Sequence, residues 1–341
     1  IRETKMKVRL LVALISVALL GAAFYARSGP SVAPDFPTNE MIADQSEVVI
    51  DIPNGSSGSE IAQLLFANGV VKSSEAFFRV AVGDKRSEKI APGNHRVSQN
   101  ISAQQALEQL LDADRIPNLI RIYEGGWKSE VVTALIDYGF TKAEINKALT
   151  SVVLPKGFKD TEGLLFPAQY TFAKGTSAVQ AVQAMIDRFS AETIAQVLMS
   201  GDKDFTGAQL LTIASIIQAE GGASDFAKVS RVIRNRLKVG MPLQMDATVH
   251  FIEKLRGQIF LSSKSTLINS PYNTYKRYGL PPGPIGSPGV AAMTAALEPA
   301  PGEWLYFVTV APGDTRFTKS FDEFNTWKAL YVKNRKAGAF K

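Results

Sequence analysis

Apolar positions along the chain change period several times, and each change marks an expected element. Glu47–Ile52 (EVVIDI) alternates as a strand does, and Pro53-Asn54-Gly55 turns it. Ser59–Asn68 then follows helical spacing with Ile61, Leu64 and Leu65 inward, and Gly69 ends it. Ser73 or Ser74 can cap a second helix over Glu75–Val82. Gly93–Val97 reads as a returning strand, and Ser102 caps a third helix that runs to Leu111. Strand, helix, helix, strand makes a small α+β unit over 46–115. It holds few acid–base groups that could act together, so a binding module is expected there.

The larger remainder, 116–335, reads as a mixed α+β domain. Asn118–Tyr123 is an expected strand, followed by helices over Lys128–Tyr138 and Lys142–Ser151. A loop carrying Glu162-Gly163-Leu164-Leu165-Phe166-Pro167 leads into a short strand, QYTF, and a long helix over Ser177–Ser190. The stretch Leu210–Gly222 (LLTIASIIQAEGG) is mostly apolar, with one carboxylate near its end. Thr206 and Gln209 have the spacing of a capping box, so this helix begins near Gly207. Leu210, Ile213, Ile217 and Glu220 share one face, and Gly221-Gly222 stops the helix. The next helix, Asp225–Val239, is expected to be capped by Ser224. Its apolar face is Phe226, Val229, Val232, Ile233 and Leu237, and Lys228, Arg231, Arg234, Arg236 and Lys238 form an expected solvated face. Asn269–Gly289 is rich in proline and glycine but holds three tyrosines, which predicts an ordered surface loop rather than a linker. Ala291–Leu297 reads as helix, Trp304–Val310 as a buried strand, and a last helix runs to about Lys336.

The N-terminus changes the picture. Arg2, Lys5, Lys7 and Arg9 precede an uncharged apolar run, Leu10–Ala26. The run is at the short end for a membrane-spanning helix but longer than a typical signal-peptide core, and Phe24 and Tyr25 suit an interfacial belt. An uncleaved anchor is therefore expected: a cytoplasmic tail over 1–9, a transmembrane helix over 10–26, and everything after Arg27 outside. Pro30, Pro34 and Pro37 make 27–45 an extended linker. The net charge of +6 favours anionic surroundings such as cell-wall polymer, lipid head groups or nucleic acid. The absence of cysteine excludes disulfides and thiolate metal sites.

The usual chemistries then fall away. Neither His95 nor His250 sits in a nucleophile motif, and both read as structural. There is no G-x-S-x-G elbow, no H-E-x-x-H, and no phosphate loop that precedes a helix. The basic helix lacks a nucleic-acid-binding context. Carboxylates remain. Glu220 is either a solvated residue at the end of a core helix or a carboxyl whose apolar surroundings and helix dipole resist ionisation, as a general acid needs. Gln244, Asp246 and Thr248 have period-two spacing and in an extended segment would share one face. Tyr272, Asn273, Thr274 and Tyr275 offer ring faces, amides and hydroxyls that suit a carbohydrate, or else pack their own loop.

These residues carry a family resemblance that runs from the apolar N-terminal run to about Trp327. Ala214–Glu220, Asn235-Arg236-Leu237 with Gly240-Met241, Leu243-Gln244, Asp246 and Thr248-Val249, Tyr272–Tyr275 with Gly279–Gly289, and Glu162–Pro167 with Tyr170 resemble the motifs of YceG-like (MltG-type) endolytic murein transglycosylases. Three positions depart from the pattern: Gln218, where the family carries a first glutamate, Ala168-Gln169 and Phe324. Gln218 lies about 200° around the helix from Glu220 and need not share its site.

The resemblance implies a LysM-like module over 46–115 and a catalytic domain over 116–335. It implies Glu220 as the acid–base residue, with Gln244, Asp246, Thr248, Tyr272, Asn273, Thr274, Tyr275 and Glu162 binding substrate. The implied reaction cleaves the β-1,4 bond between N-acetylmuramic acid and N-acetylglucosamine of nascent strands and leaves 1,6-anhydro ends, with no metal or cofactor. The implied setting is the outer face of a bacterial inner membrane, with peptidoglycan strands and peptidoglycan synthases as partners and no nucleic acid. A glycan hydrolase that pairs Glu220 with Asp246 or Glu162, and a silent wall-binding scaffold, remain alternatives.

Overall fold

The computed structural model describes residues 33–38, 46–53, 55–117, 119–256, 261–262 and 264–340. The expected tail and transmembrane helix, 1–26, lie outside the described residues. Among the described residues no helix is long and apolar enough to cross a membrane. The fold is mixed α+β, and the chain divides into two compact units, one ending at Pro117 and one starting at Asn118.

In the first unit, β1 (Glu47–Ile52) pairs antiparallel with β2 (Gly93–Ser98), with Ile50 opposite His95. Among its described residues three α-helices pack with this pair: α1 (Gly58–Ala67), α2 (Ser74–Gly83) and α3 (Ala103–Leu111). Ser57 and Ser102 form capping boxes with Glu60 and Gln105, and Ser73 caps α2. Strand alternation places Ile50 and Ile52 in a core with Leu65, Phe77, Leu107 and Leu110. His95 is fully buried; its Nε2 lies 2.7 Å from the Ala91 carbonyl oxygen, and burial depresses its proton affinity. Part of the expected linker is docked rather than extended away. The Asp35 carboxylate accepts the Ala103 amide at 3.0 Å, where the positive end of α3 attracts it.

Among its described residues the second unit is mostly helical, with two small two-stranded antiparallel sheets. β3 (Ile120–Arg121) pairs with β4 (Gln169–Tyr170), and β5 (Tyr306–Ala311) pairs with β6 (Asp314–Thr318). Its first five helices are α4 (Lys128–Tyr138), α5 (Lys142–Ser151), α6 (Ala178–Ala191), α7 (Thr193–Met199) and α8 (Gly207–Glu220). These are followed by α9 (Phe226–Lys238), α10 (Asp246–Glu253), α11 (Val290–Leu297) and α12 (Phe321–Lys336). The expected buried strand near Trp304 is instead half-exposed along most of β5, because only Val310 of that strand is buried. α9 starts at Phe226 with Asp225 before it, so Ser224 is not the cap.

α8 lies at the centre of this unit, packed by α7, α9, α10 and α11. Leu210 to Ile217 are buried without a break, so the helix has no wet face between its first turn and its last. Its polar interior positions are satisfied locally. Thr212 donates to the Ala208 carbonyl at 2.8 Å, and Ser215 donates to the Thr212 carbonyl while accepting the Ile285 amide at 3.0 Å. The expected capping box forms: the Thr206 amide donates to Gln209 Oε1 at 2.9 Å.

Gly207, the first residue of α8, faces the end of α7. A Cβ there would lie 2.5 Å from the Met199 carbonyl oxygen. Because that neighbour is backbone, G207A should force the two helices apart and cost about 1–3 kcal/mol. Urea unfolding of the variant checks this; an unchanged midpoint would contradict it.

Candidate functional site

Glu220 ends α8 where α10 begins. The sequence pattern suggests an extended run through Gln244, Asp246 and Thr248, but the chain turns helical at Asp246. Gln244 adopts a left-handed backbone (φ 49°), which breaks the alternation and aims the next residues into a helix. Thr274 holds this turn: its carbonyl accepts the Gln244 amide at 3.0 Å and its hydroxyl accepts the Met245 amide at 2.9 Å. Thr248 closes the knot, donating to the Met245 carbonyl at 2.7 Å and sharing a 2.9 Å contact with the Thr274 hydroxyl. The first turn of α10 is thereby fixed to the Thr274 loop.

The Ala247 amide donates to Glu220 Oε1 at 2.8 Å. Glu220 keeps an opening to solvent, yet its carboxyl is closely surrounded by protein. That burial pushes its pKa from 4.5 to about 7. The Ala247 bond works against the shift, the Asp246 charge adds to it, and the Arg236 charge opposes it. The carboxyl can therefore hold a proton near neutrality and also lose it there. Asp246, the first residue of α10, accepts the hydroxyl of Tyr275, whose own proton is held tightly by burial and by that carboxylate.

The structure divides the other expected site residues. Asp246 and Tyr275 join Glu220. Gln244 is exposed beside them. Thr248, Asn273 and Thr274 are buried and spend their polar groups on the scaffold. Asn273 donates to the Thr266 and Ile268 carbonyls at 3.0 and 2.8 Å and accepts the Tyr275 amide at 3.0 Å, which leaves little for a sugar. Tyr272 is half-buried, its ring 5.2 Å from Phe251.

Glu162 sits in a second charge environment. Its carboxyl accepts the Lys128 amide at 3.0 Å at the start of α4, and burial pushes its pKa up to about 7. Lys128 lowers it, while Asp160 and Glu130 raise it. Asp160 in turn pairs with the Lys128 ammonium at 2.6 Å. Gly163 explains why glycine follows Glu162. Its φ is +84°, and a Cβ would lie 2.6 Å from Pro284 and 3.2 Å from Leu211 of α8, so this loop presses directly on the proline turn and the central helix.

Gln218 does not face the Glu220 carboxyl; its Oε1 accepts the Gly289 amide at 3.0 Å, as the angular separation on α8 allows. Ala168 supplies a carbonyl to the Ile122 amide at 2.9 Å, and the Phe324 ring stacks on Tyr306 at 5.2 Å.

The expected solvated basic face of α9 is largely consumed. Arg231 donates to the Ala300 carbonyl at 2.5 Å, and Arg234 binds Asp202 and the Ala296 carbonyl, both at 2.7 Å. Arg236 is buried and is the functional neighbour missing from the expected set. A signal was available: Val229, Val232, Ile233 and Arg236 follow one helical stripe, so the guanidinium continues the buried face.

Fold and site together define a mixed α+β domain with two carboxyls raised by burial, Glu162 and Glu220, the second with a tyrosine-bound aspartate and a buried arginine acting on it. Residues 50–329 match the YceG-like family, and the chain belongs to that family. It is 32% identical over 314 residues to an endolytic murein transglycosylase of Bacillus subtilis (strain 168), covering 85% of this chain and 86% of that protein. It is 25% identical over 327 residues to an endolytic murein transglycosylase of Streptococcus pneumoniae serotype 2 (strain D39), covering 84% of this chain and 59% of that protein. A crystal structure of a YceG-like protein from Listeria monocytogenes matches 83% of this chain and 99% of its own, with 29% identity and a TM-score of 0.55.

Proposed function

We propose that this chain is an endolytic lytic transglycosylase of peptidoglycan, cutting the N-acetylmuramic acid–β-1,4–N-acetylglucosamine bond of nascent strands. The observation that carries this reading is Glu220, a carboxyl held near neutrality by burial at the junction of α8 and α10. Protonated, it delivers its proton to the glycosidic oxygen as the C1–O4 bond breaks, and the N-acetylglucosamine end leaves as an alcohol. The carboxylate left behind takes the proton from the C6 hydroxyl as O6 bonds to C1. The 1,6-anhydro ring closes, the proton returns to Glu220 and no water is consumed. One carboxyl used twice fits a site whose other raised carboxyl, Glu162, is bound to the Lys128 amide and answers to different charges, better than it fits the two-carboxylate arrangement of hydrolases. Gln244, Asp246, Tyr272 and Tyr275 are the candidates for substrate contact, since each has at least part of its surface open.

Mass spectrometry of products from defined, uncrosslinked strands tests the reading. Anhydro ends, lighter than reducing ends by one water, are expected. Reducing ends alone would mark a hydrolase, and strand binding without any cleavage would mark a scaffold.

The basic residues before Leu10 and the uncharged run to Ala26 support a single-pass inner-membrane anchor with both units outside. Close to the membrane, the unit with β1, α1, α2 and β2 serves as a LysM-like glycan holder, and synthases that extrude new strands are the expected neighbours. Protease digestion of spheroplasts checks the topology; protection of both units would reverse it.

A further inference from the structure

Two helices bring opposite charges to the segment that binds Glu220. Asp246 comes from the first turn of α10, one residue before the amide that binds the Glu220 carboxyl. Arg236 comes from the last turn of α9, the helix that also packs Val229 against Gly221, with 3.6 Å between the Val229 methyl and a Cβ built there. Arg236 is only 6% exposed. Its Nε donates to the Leu305 carbonyl at 2.6 Å, and another guanidinium nitrogen donates to the Leu243 carbonyl. Its charge lies 5.6 Å from the centre of the Tyr306 ring. Among the described residues no carboxylate is within ion-pair distance of it.

Burying a guanidinium without a carboxylate partner is expensive, and an apolar residue of similar size would fill the space at less cost. Two carbonyl bonds explain how Arg236 is held. They do not explain why a permanent charge is kept there. Leu243, which it grips, lies four residues before Ala247, so the bond that fixes the arginine also fixes the segment that delivers Asp246 and the Ala247 amide.

We propose that Arg236 and Asp246 are an opposed pair of positioning charges that set how firmly Glu220 holds its proton. Asp246 keeps the proton on until the leaving oxygen takes it. Arg236 stabilises the carboxylate that remains, so that it survives to act as base on the C6 hydroxyl. Tyr275 donates to Asp246 and keeps that charge directed; Tyr331 of α12 and Tyr306 of β5 are the other titratable groups that face the pair. α7 and α11 bring no charge to Glu220. The proposal rests on the reading of Glu220 as both acid and base.

The test is the pH profile of kcat/KM for the full chain on uncrosslinked strands. Activity that requires a protonated Glu220 falls as pH rises, and the position of that fall reports the carboxyl. Asp246→Asn removes a negative charge, so the fall should move down by about half a pH unit to one unit. Arg236→Gln or Arg236→Met removes a positive charge, so the fall should move up by a similar amount, with kcat down about tenfold and KM within about twofold. Arg236→Lys keeps the charge and should leave the fall in place with a smaller loss of kcat.

An unmoved profile in Asp246→Asn overturns the proposal. So do neutral Arg236 variants that lose activity no more than Arg236→Lys, with the profile unmoved. Failure of both neutral variants to fold while Arg236→Lys folds would assign Arg236 to the scaffold alone and also end the proposal. Glu220→Gln separates the two levels: if it still releases anhydro products the underlying reading is wrong, whereas if it is inactive and the profiles stay put only this proposal fails.

Discussion

Glu220→Gln should lower the release of 1,6-anhydro-muropeptides by about 10³-fold to 10⁴-fold while leaving the fold intact. Glutamine has the shape of glutamate, and its Oε1 can still accept the Ala247 amide that lies 2.8 Å from the wild-type oxygen. It has no proton to give to a leaving oxygen and cannot take one from a hydroxyl, so both halves of the reaction fail together. The thermal midpoint should not fall. At pH 8 the wild-type carboxyl, with its pKa near 7, is mostly ionised in surroundings that disfavour the charge. Removing the charge relieves that penalty. A variant that melts at or above the wild-type temperature yet makes no product would tie the loss to proton transfer. A variant that keeps more than about a tenth of wild-type activity would exclude Glu220 as the acid.

The place of Glu220 at the end of α8 was legible from two local signals, and its acid–base role only from the family resemblance. The capping box at Thr206 and Gln209 sets the start of α8, and helical spacing from Leu210 sets which side Glu220 is on. What the spacing could not supply is the other half of the site. α10 starts because Gln244 takes a left-handed backbone and Thr274 captures two amides, and neither is visible in a run that alternates apolar and polar residues. The same blindness affects amides and hydroxyls in loops. Asn273 and Thr274 have the right chemistry for a sugar, but backbone groups of their own loop and of the Gln244 turn use it first. A sequence lists donors and acceptors without their partners. Arg236 was hidden differently: a basic residue among four others on one helix looks solvated until the apolar stripe is counted through it. The hairpin partner β6 has no continuous buried face, so its short polar alternation carried no signal against the loop around it.

Glu162 gives the second large effect, and the effect is on stability. Its folded-state pKa of about 7 lies above the ordinary 4.5, chiefly because of burial. A carboxyl raised on folding favours the folded state while protonated, so its contribution is fully present below about pH 4.5 and is lost as pH rises through 7. The loss amounts to roughly 3 kcal/mol at most, complete above about pH 8. Glu162→Gln keeps an acceptor for the Lys128 amide and removes the titration. The variant should match the wild type near pH 4.5 and exceed it by about 1–3 kcal/mol at pH 8.5, measured by urea unfolding across that range. A variant less stable than the wild type at pH 8.5 would mean that the ionised carboxylate is stabilised by Lys128 more than burial penalises it.

The same protein separates the remaining mechanistic alternative. Lys128, Asp160 and Glu130 act on Glu162, whereas Asp246 and Arg236 act on Glu220, so the two raised carboxyls titrate in separate environments. A hydrolase that used them as a pair would lose about 10²-fold or more in Glu162→Gln. A transglycosylase that relies on Glu220 alone should lose less than about tenfold, and its products should keep their anhydro ends.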